Sequence, residues 1–496
     1  MSLSFSDSPA LRSFAPVRLL VALVAVSVIV TGAGVAAVSQ PSAAAAASWK
    51  TEAKKVKKSQ WPARITTLKA KPGKKPGTVT FTWKTSSQTT SYFQLELAST
   101  SFSPNVKTLP KKGRNYKLVK IARSARSFTV SAKLAARVGA PLGSGNHIYY
   151  RFSAVNSAGK KKITRVYPGL HTVSVAPATA KSGTQLIVAS YNIASVKARS
   201  KNKAVGKWTT RRSKLAATII ASKAGIIALQ ELGPGNIVDG GAVKATGIPR
   251  QTDDLLSTVR GKAGGSSYAL VQTTPYVRAG TSHGTQGTRI MYDTAKYRLL
   301  SHCPSETDGS SFSSRCAFDL PTLGSDSAAD RRSAAFALFQ DISSGKKFWV
   351  VSVHLDSRAS TSKKTSAKYS ALRVKQAKYV MAKMDALNEG GYPIIVAGDF
   401  NAWQNDQVSG AAPHRAFVAA GYYDASATKN RVRPTWPTTS QWATKVSVPA
   451  SGFGARLDYI LGKGIAGSVK YVNTMVPNDA KRASDHALIW ASLRLA

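Results

Sequence analysis

The chain has 496 residues, 70 of them Lys or Arg and 23 Asp or Glu, for a formal net charge of +47. Apolar residues at 43% and 9 tryptophans supply a substantial core, so disorder throughout is excluded, and the length suits two or three domains. Two cysteines exclude a disulfide framework and any multi-cysteine zinc or iron–sulfur site, while the charge points to an anionic partner: nucleic acid, anionic lipid or cell-wall polymer.

At the N-terminus, Arg12 and Arg18 precede an apolar run from Leu19 to Val30, followed by small residues ending in Ser42-Ala-Ala-Ala-Ala-Ala-Ser48. This is the order of a secretory signal over residues 1–47. The alternative is an uncleaved anchor over residues 19–38, which reaches the minimum length of a membrane span. Either reading exports the bulk of the chain and predicts that Cys303 and Cys316 pair as one disulfide. Charge is uneven: residues 1–183 hold 29 Lys+Arg and 3 Asp+Glu, so the acids that bind metals or move protons concentrate in the remainder.

Residues 48–63 read as a basic linker. From 64 to 177, short alternating runs lie between turn residues: Thr78–Trp83, Tyr92–Leu97, Ser127–Val130 and His147–Val155. They predict an antiparallel, immunoglobulin-like β-sandwich. The stretch Tyr150-Arg-Phe-Ser-Ala-Val-Asn-Ser-Ala-Gly159, with Trp83 closing an early strand, resembles a fibronectin type III module, although Ile148 stands where that family often carries a corner tyrosine. The module shows no catalytic constellation and reads as a spacer or adhesive unit. Its clusters Lys111-Lys-Gly-Arg114 and Lys160-Lys-Lys162 suit either solvated loops or a polyanion-binding surface.

After a linker over 178–185, residues 186–496 change texture. Apolar runs at Leu186–Tyr191, Gly225–Leu229, Lys347–Val353, Tyr392–Ala397, Leu457–Leu461 and Ala487–Leu493 alternate with helical patterns over Trp208–Ala221 and Tyr369–Leu387. This is a layered α/β domain. Its runs end at residues able to bind metal or move protons: Asn192, Gln230-Glu231, His354, Gly398-Asp399-Phe400-Asn401, Asp458 and Ser484-Asp485-His486. Strand ends open into loops, so these groups can converge on one cleft.

In that order, the set resembles the motifs of the endonuclease/exonuclease/phosphatase superfamily, which includes deoxyribonuclease I. The resemblance spans about residues 186–496, and Gly-Asp-Phe-Asn and Ser-Asp-His are its most specific parts. It implies a four-layer α/β/β/α sandwich and divalent-metal-dependent phosphoester hydrolysis. Glu231, with Asn192 and Asp485, is then the metal site, suited to Mg²⁺, with Mn²⁺ or Ca²⁺ as alternatives. His486, oriented by Asp458, would activate water; His354 would protonate the leaving oxygen. Asn401 would orient the phosphate and Asp399 would position water or a second metal, with the choice of base between Asp399 and His486 open. Arg332 falls where deoxyribonuclease-like members place a phosphate-contacting arginine, a plain exposed strand-start charge being the other reading. Histidine at 354 favours the branch of deoxyribonuclease I, sphingomyelinase-like phospholipases and phosphatases over abasic-site repair enzymes.

The basic catalytic region favours a secreted nuclease acting on DNA or RNA as a monomer, with Trp403 and Gln404 candidates to touch substrate beside the cleft. The alternatives are a phospholipase C or phosphatase using the same site, for which Gln441-Trp442 is the nearest membrane-entry candidate, and a non-enzymatic adhesin.

Overall fold

The computed structural model describes residues 57–496 apart from 101, 103–115, 159–160, 179–181, 197–204, 233–250, 265–266, 272–286, 302–315, 328–329, 407–410 and 450–451. The signal or anchor, Cys303, the Lys111–Arg114 cluster and Lys160 therefore lie outside the described residues. Cys316 is disulfide-bonded, and the chain holds one other cysteine. Among the described residues no helix is long and apolar enough to cross a membrane.

The first module is all-β apart from one short helix. Strands β1 (Ile65–Pro72), β2 (Val79–Thr85), β3 (Tyr92–Ala98), β4 (Tyr116–Ala122) and β5 (Ser127–Val130) precede helix α1 (Ala132–Arg137), and β6 (His147–Ala158), β7 (Lys161–Val166) and β8 (His171–Ser174) follow. They form two antiparallel sheets, β1-β2-β5 and β4-β3-β6-β7, with β8 also on β6. Inward residues of both sheets meet in one core, where Phe81, Trp83, Phe93, Leu95, Tyr150 and Phe152 pack together. Strands β1, β4, β7 and β8 escape the alternation pattern because Lys, Arg and Thr break it.

The second module follows as β9 (Thr184–Asn192), α2 (Trp208–Ala221), β10 (Ile226–Gln230), α3 (Gln251–Lys262), β11 (Tyr268–Leu270), β12 (Arg289–Asp293), β13 (Tyr297–Leu299), β14 (Ala317–Asp319), β15 (Ser333–Asp341) and β16 (Lys347–His354). It continues with α4 (Lys363–Leu387), β17 (Ile394–Asp399), α5 (Ala412–Ala419), β18 (Tyr423–Asp424), β19 (Arg431–Val432), β20 (Asp458–Lys463), β21 (Ile465–Asn473) and β22 (Ile489–Leu495). One sheet has the order β11-β12-β10-β9-β22-β21-β19; the other runs β13-β15-β16-β17-β20-β18, with β14 also on β15.

The two sheets pack face to face. Val188, Ile226, Ala228 and Ile290 of the first meet Ala335, Phe339, Phe348, Val350 and Ile395 of the second in one core. Alternate residues on the same strands face outward: Ala189, Tyr191, Ile227 and Leu229 pack on α2 and α3 through Leu215, Ile219, Leu255 and Val259. On the other side, Val351, Val353, Ile394 and Val396 pack on α4 through Ala377, Val380 and Met384. The result is the four-layer α/β/β/α sandwich. Central strands buried on both faces explain the continuous apolar runs, since each residue contributes about 1.5–3 kcal/mol by leaving water whichever way it points. Helix α4 begins six residues before the expected Tyr369, where Ser362 caps it by accepting the Thr365 N–H at 3.4 Å.

A polar bridge crosses the inter-sheet core at Gln230. Gln230 is fully buried; its amide donates to Ser352 Oγ at 3.2 Å, and Ser352 Oγ in turn donates to the Leu229 carbonyl at 2.9 Å. Gln230 thus holds the sheets in register, while its neighbour Glu231 reaches the site.

Candidate active site

Strand register brings the motif residues together. In the first sheet Asn192 lies opposite Gln230 at the parallel ends of β9 and β10, delivering Glu231 one residue later. In the second, His354 lies opposite Asp399 at the parallel ends of β16 and β17, and Asp399 lies opposite Asp458, the first residue of antiparallel β20. The loop before β22 adds Ser484, Asp485 and His486. Its Ser484 hydroxyl donates to the Asn192 carbonyl at 2.6 Å and accepts the His486 N–H at 3.1 Å, which ties this loop to the end of β9.

The approach of β16 to β17 requires glycine at 398. A β-carbon there would sit 2.0 Å from the Val353 carbonyl oxygen. Two site residues hold left-handed backbones without being glycine, Glu231 at φ 56° and Asn401 at φ 49°. Such conformations persist where the surroundings over-determine them, as at functional sites. Asn401 is fixed by its own N–H donating to Asp399 Oδ1 at 2.8 Å and by its side-chain amide donating to the Leu355 carbonyl at 3.0 Å.

Asp399 is the hub. Its Oδ2 lies 3.7 Å from His354 Nε2 and 3.7 Å from His486 Nε2, and accepts from Asn192 Nδ2 at 3.2 Å. His486 Nδ1 is 2.9 Å from Asp458 Oδ2, the His–Asp pairing expected from sequence. Burial raises the Asp399 carboxyl to about 7, with the Asp458 charge adding to the rise and His486 opposing it. Burial alone would lower the His486 imidazole, but Asp458 and Asp399 outweigh it and hold the ring well above its ordinary value. Asp485 is raised by burial, with Glu231 among the charges that add to the effect.

Glu231 accepts from Asn192 Nδ2 at 3.2 Å and from the Ser195 N–H at 3.1 Å. The Asn192 amide presents its nitrogen to the two carboxylates, and its oxygen accepts the Ala194 N–H. Asn192 therefore bridges Glu231 and Asp399 as a donor here, and service as an oxygen ligand requires the amide turned over. The donors suit a hard divalent cation: carboxylate oxygens from Glu231 and Asp485, with Asp399, Asp458 and His486 offering ligand atoms within 4.8 Å of one another.

Arg332 is not an exposed charge. It is 5% exposed, its Nη2 donates to Ser357 Oγ at 2.7 Å, and its Nε and Nη1 have no hydrogen-bond partner among the described residues. Burial lowers its guanidinium, and the charges of Glu231, Asp356 and Asp399 support it. A buried guanidinium with free donors beside these carboxylates fits an anion entering the site. Gln404, by contrast, does not reach the cleft. It is 4% exposed, and its amide is taken up by the first module.

Three supporting residues carry no motif signal. The Thr438 hydroxyl accepts the N–H groups of Leu457 and Asp458 at 2.9 and 3.2 Å and so fixes the start of β20. Ser440 donates its N–H to the Asp485 carbonyl at 2.6 Å. Arg211, buried on α2, donates to the carbonyls of Ile193, Ala194 and Ala483 at 3.0, 3.1 and 2.8 Å, joining the loop after Asn192 to the loop before Ser484. A polar residue inside an otherwise helical apolar face was the available hint for Arg211; the other two act across distances that sequence spacing does not reveal.

Some solved structures are similar to part of the chain. An endonuclease/exonuclease/phosphatase family protein from Bacteroides thetaiotaomicron is 20% identical, with 64% of this chain and 100% of that one covered and a TM-score of 0.44. A mannosyl-6-phosphatase from the same organism is 20% identical over 62% of this chain and 99% of its own, at 0.43. The human Nocturnin catalytic domain with bound sulfate is 16% identical over 63% and 94%, at 0.40. No curated protein matches the chain. Residues 189–486 match the Endonuclease/Exonuclease/phosphatase family over more than half of the sequence, at the same strands and loops that carry Asn192 through His486: the chain belongs to that family.

Proposed function

Membership makes the chain a phosphoester hydrolase, and we propose that it is an exported, divalent-metal-dependent phosphodiesterase that cleaves nucleic acid. The observation that carries the phosphodiester reading is Arg332, a buried guanidinium with two free donors beside the carboxylate site. Glu231 and Asp485, with Asn192 turned over, would hold Mg²⁺, which supplies charge neutralisation of the phosphate when bound. Asn401 and Arg332 orient and neutralise a non-bridging phosphate oxygen. Asp399, lying between the two rings, or His486, held by Asp458, takes the proton of the attacking water, and His354 delivers a proton to the leaving oxygen.

The nucleic-acid preference rests on charge. A chain of +47 raises the local concentration of polyanion and speeds encounter at low salt. Trp442 does not favour a lipid substrate: it is half-buried, not in a hairpin, and lies 5.9 Å from the Arg211 guanidinium. The strand order β1-β2-β5 against β4-β3-β6-β7 supports a fibronectin type III-like reading of the first module.

The test is supercoiled plasmid with the chain lacking residues 1–47, with Mg²⁺, with EDTA, and with His486→Ala. Nicking that needs both the metal and His486 is expected, and it should weaken steeply with salt. A folded protein that nicks under no divalent metal, yet releases phosphate from small esters or cleaves phospholipid headgroups, overturns the nuclease assignment.

A further inference from the structure

Along residues 147–155 of β6, the second face of the β4-β3-β6-β7 sheet is not solvated. On β6, Ile148, Tyr150, Phe152 and Ala154 enter the module's own core, and the opposite-facing His147, Tyr149, Arg151 and Ser153 are also buried. An antiparallel sheet with one core usually leaves its other face to water. Part of this one is taken by the turn that follows Asn401. Gln404 Oε1 accepts the His147 N–H at 3.1 Å, and Gln404 Nε2 donates to the carbonyls of Ser99 (2.8 Å) and His147. Both ends of the side-chain amide are therefore engaged by backbone of the first module. Further contacts extend the seam: the Asp424 N–H donates to the Gly143 carbonyl at 2.7 Å, Arg431 donates to Ser174 Oγ at 3.3 Å, and the His147 and Phe453 rings lie 4.3 Å apart.

The catalytic module's side of the seam clusters near the site. Gln404 is three residues after Asn401, and Asp424 belongs to β18, which pairs with β20. Asn401 holds a left-handed backbone that its neighbours must enforce. Within its own module the constraints include Asp399, the Leu355 carbonyl, the Phe400 N–H donating to the Leu457 carbonyl at 2.8 Å, and the Tyr459 hydroxyl donating to the Ala402 carbonyl at 3.0 Å. A further anchor of the turn is Gln404, and it is held from the other module.

We propose that Gln404 is a positioning residue through which the β-sandwich holds the Asp399–Asn401 turn in its working geometry, so that the sandwich is a part of the hydrolase and not a spacer. This rests on the phosphoesterase reading for its effect on turnover, but not for the mechanical coupling.

The experiment uses the full exported chain with Gln404→Met, which keeps volume and removes the hydrogen bonds, and Gln404→Glu, which keeps the acceptor for His147 N–H and sets a carboxylate against two carbonyls. Hydrolysis of bis(p-nitrophenyl) phosphate with Mg²⁺ is expected to show kcat reduced about tenfold with KM within about twofold of the parent, since displacement of a positioning group by a fraction of an ångström acts on the reacting geometry. Amide hydrogen exchange is expected to quicken across residues 399–406 and to stay unchanged across 186–192. Variants that melt earlier but keep kcat and keep the protection of 399–406 would overturn the proposal and leave Gln404 a purely structural contact. Exchange reads the turn without turnover, so a parent chain inactive on every phosphoester refutes the phosphoesterase reading, while the exchange result still decides whether the sandwich holds the turn.

Discussion

Asp399→Asn separates what the site costs the fold from what it does for catalysis. The carboxyl, raised from 3.8 to about 7 chiefly by burial, binds its proton more readily in the folded chain than in the unfolded one. A group of that kind contributes stability that is complete below its unfolded value and is lost as pH rises through its folded value, here between about 4 and about 7. At about 1.4 kcal/mol per pH unit, holding this group charged in the fold costs on the order of 4 kcal/mol. Asparagine removes that cost and keeps an oxygen for the Asn401 N–H, but it turns a donor towards Asn192 Nδ2, where the carboxylate accepted at 3.2 Å. That lost bond is worth about 1–2 kcal/mol. The expected result in EDTA is a variant level with the parent or less stable by up to about 1 kcal/mol near pH 4.5, and more stable by about 2–3 kcal/mol near pH 7.5, with hydrolysis reduced at least about 100-fold. Urea unfolding at the two pH values measures the first part and steady-state hydrolysis the second. A variant destabilised equally at both would show that Asp399 titrates normally in the fold, and the argument from burial would fall.

Two further substitutions test the geometry around it. Arg332→Met should leave the melting temperature level or higher, because a buried cation with unmatched donors is removed, while kcat/KM falls about 100-fold; a collapse of the fold in a thermal melt would make Arg332 structural instead. Gly398→Ala places a β-carbon against the Val353 carbonyl at 2.0 Å and should cost about 3 kcal/mol in urea unfolding, with activity lost as His354 and Asp399 are forced apart; an unchanged midpoint would contradict the close approach of β16 and β17.

The sequence was most informative where burial is two-sided. The runs ending at Asn192, Gln230, His354 and Asp399 belong to central strands whose both faces are apolar, so a polar terminus stands out in the residue string. Helix α2 was legible to the residue because Leu215 and Ile219 face a sheet while Thr210, Ser213 and Lys214 face water. Strands β12, β15 and β21 were harder to see: Arg289, Ser333 and Gly467 interrupt the pattern at sheet margins, and β15 is rich in alanine, which is a poor strand former. Helix α3 hides its apolar face behind Gln251, Thr252 and Asp254, all buried. The role of Gln404 could not be read at all. Its partners lie 257 and 305 positions away, and nothing in Trp403-Gln404 distinguishes a residue at a cleft from one in a seam between modules.

The bridge from Gln230 to Ser352 has a consequence for how the protein comes into being. Asn192 and Glu231 arrive on one sheet, His354, Asp399 and Asp458 on the other, and the Gln230 amide across the core helps set how the two halves meet. Neither sheet alone contains a usable fragment of the reaction centre, so a nascent or partly unfolded chain has no intermediate competence: the hydrolase switches on when the sheets dock and off when they part. A chain built this way stays chemically silent until it has folded.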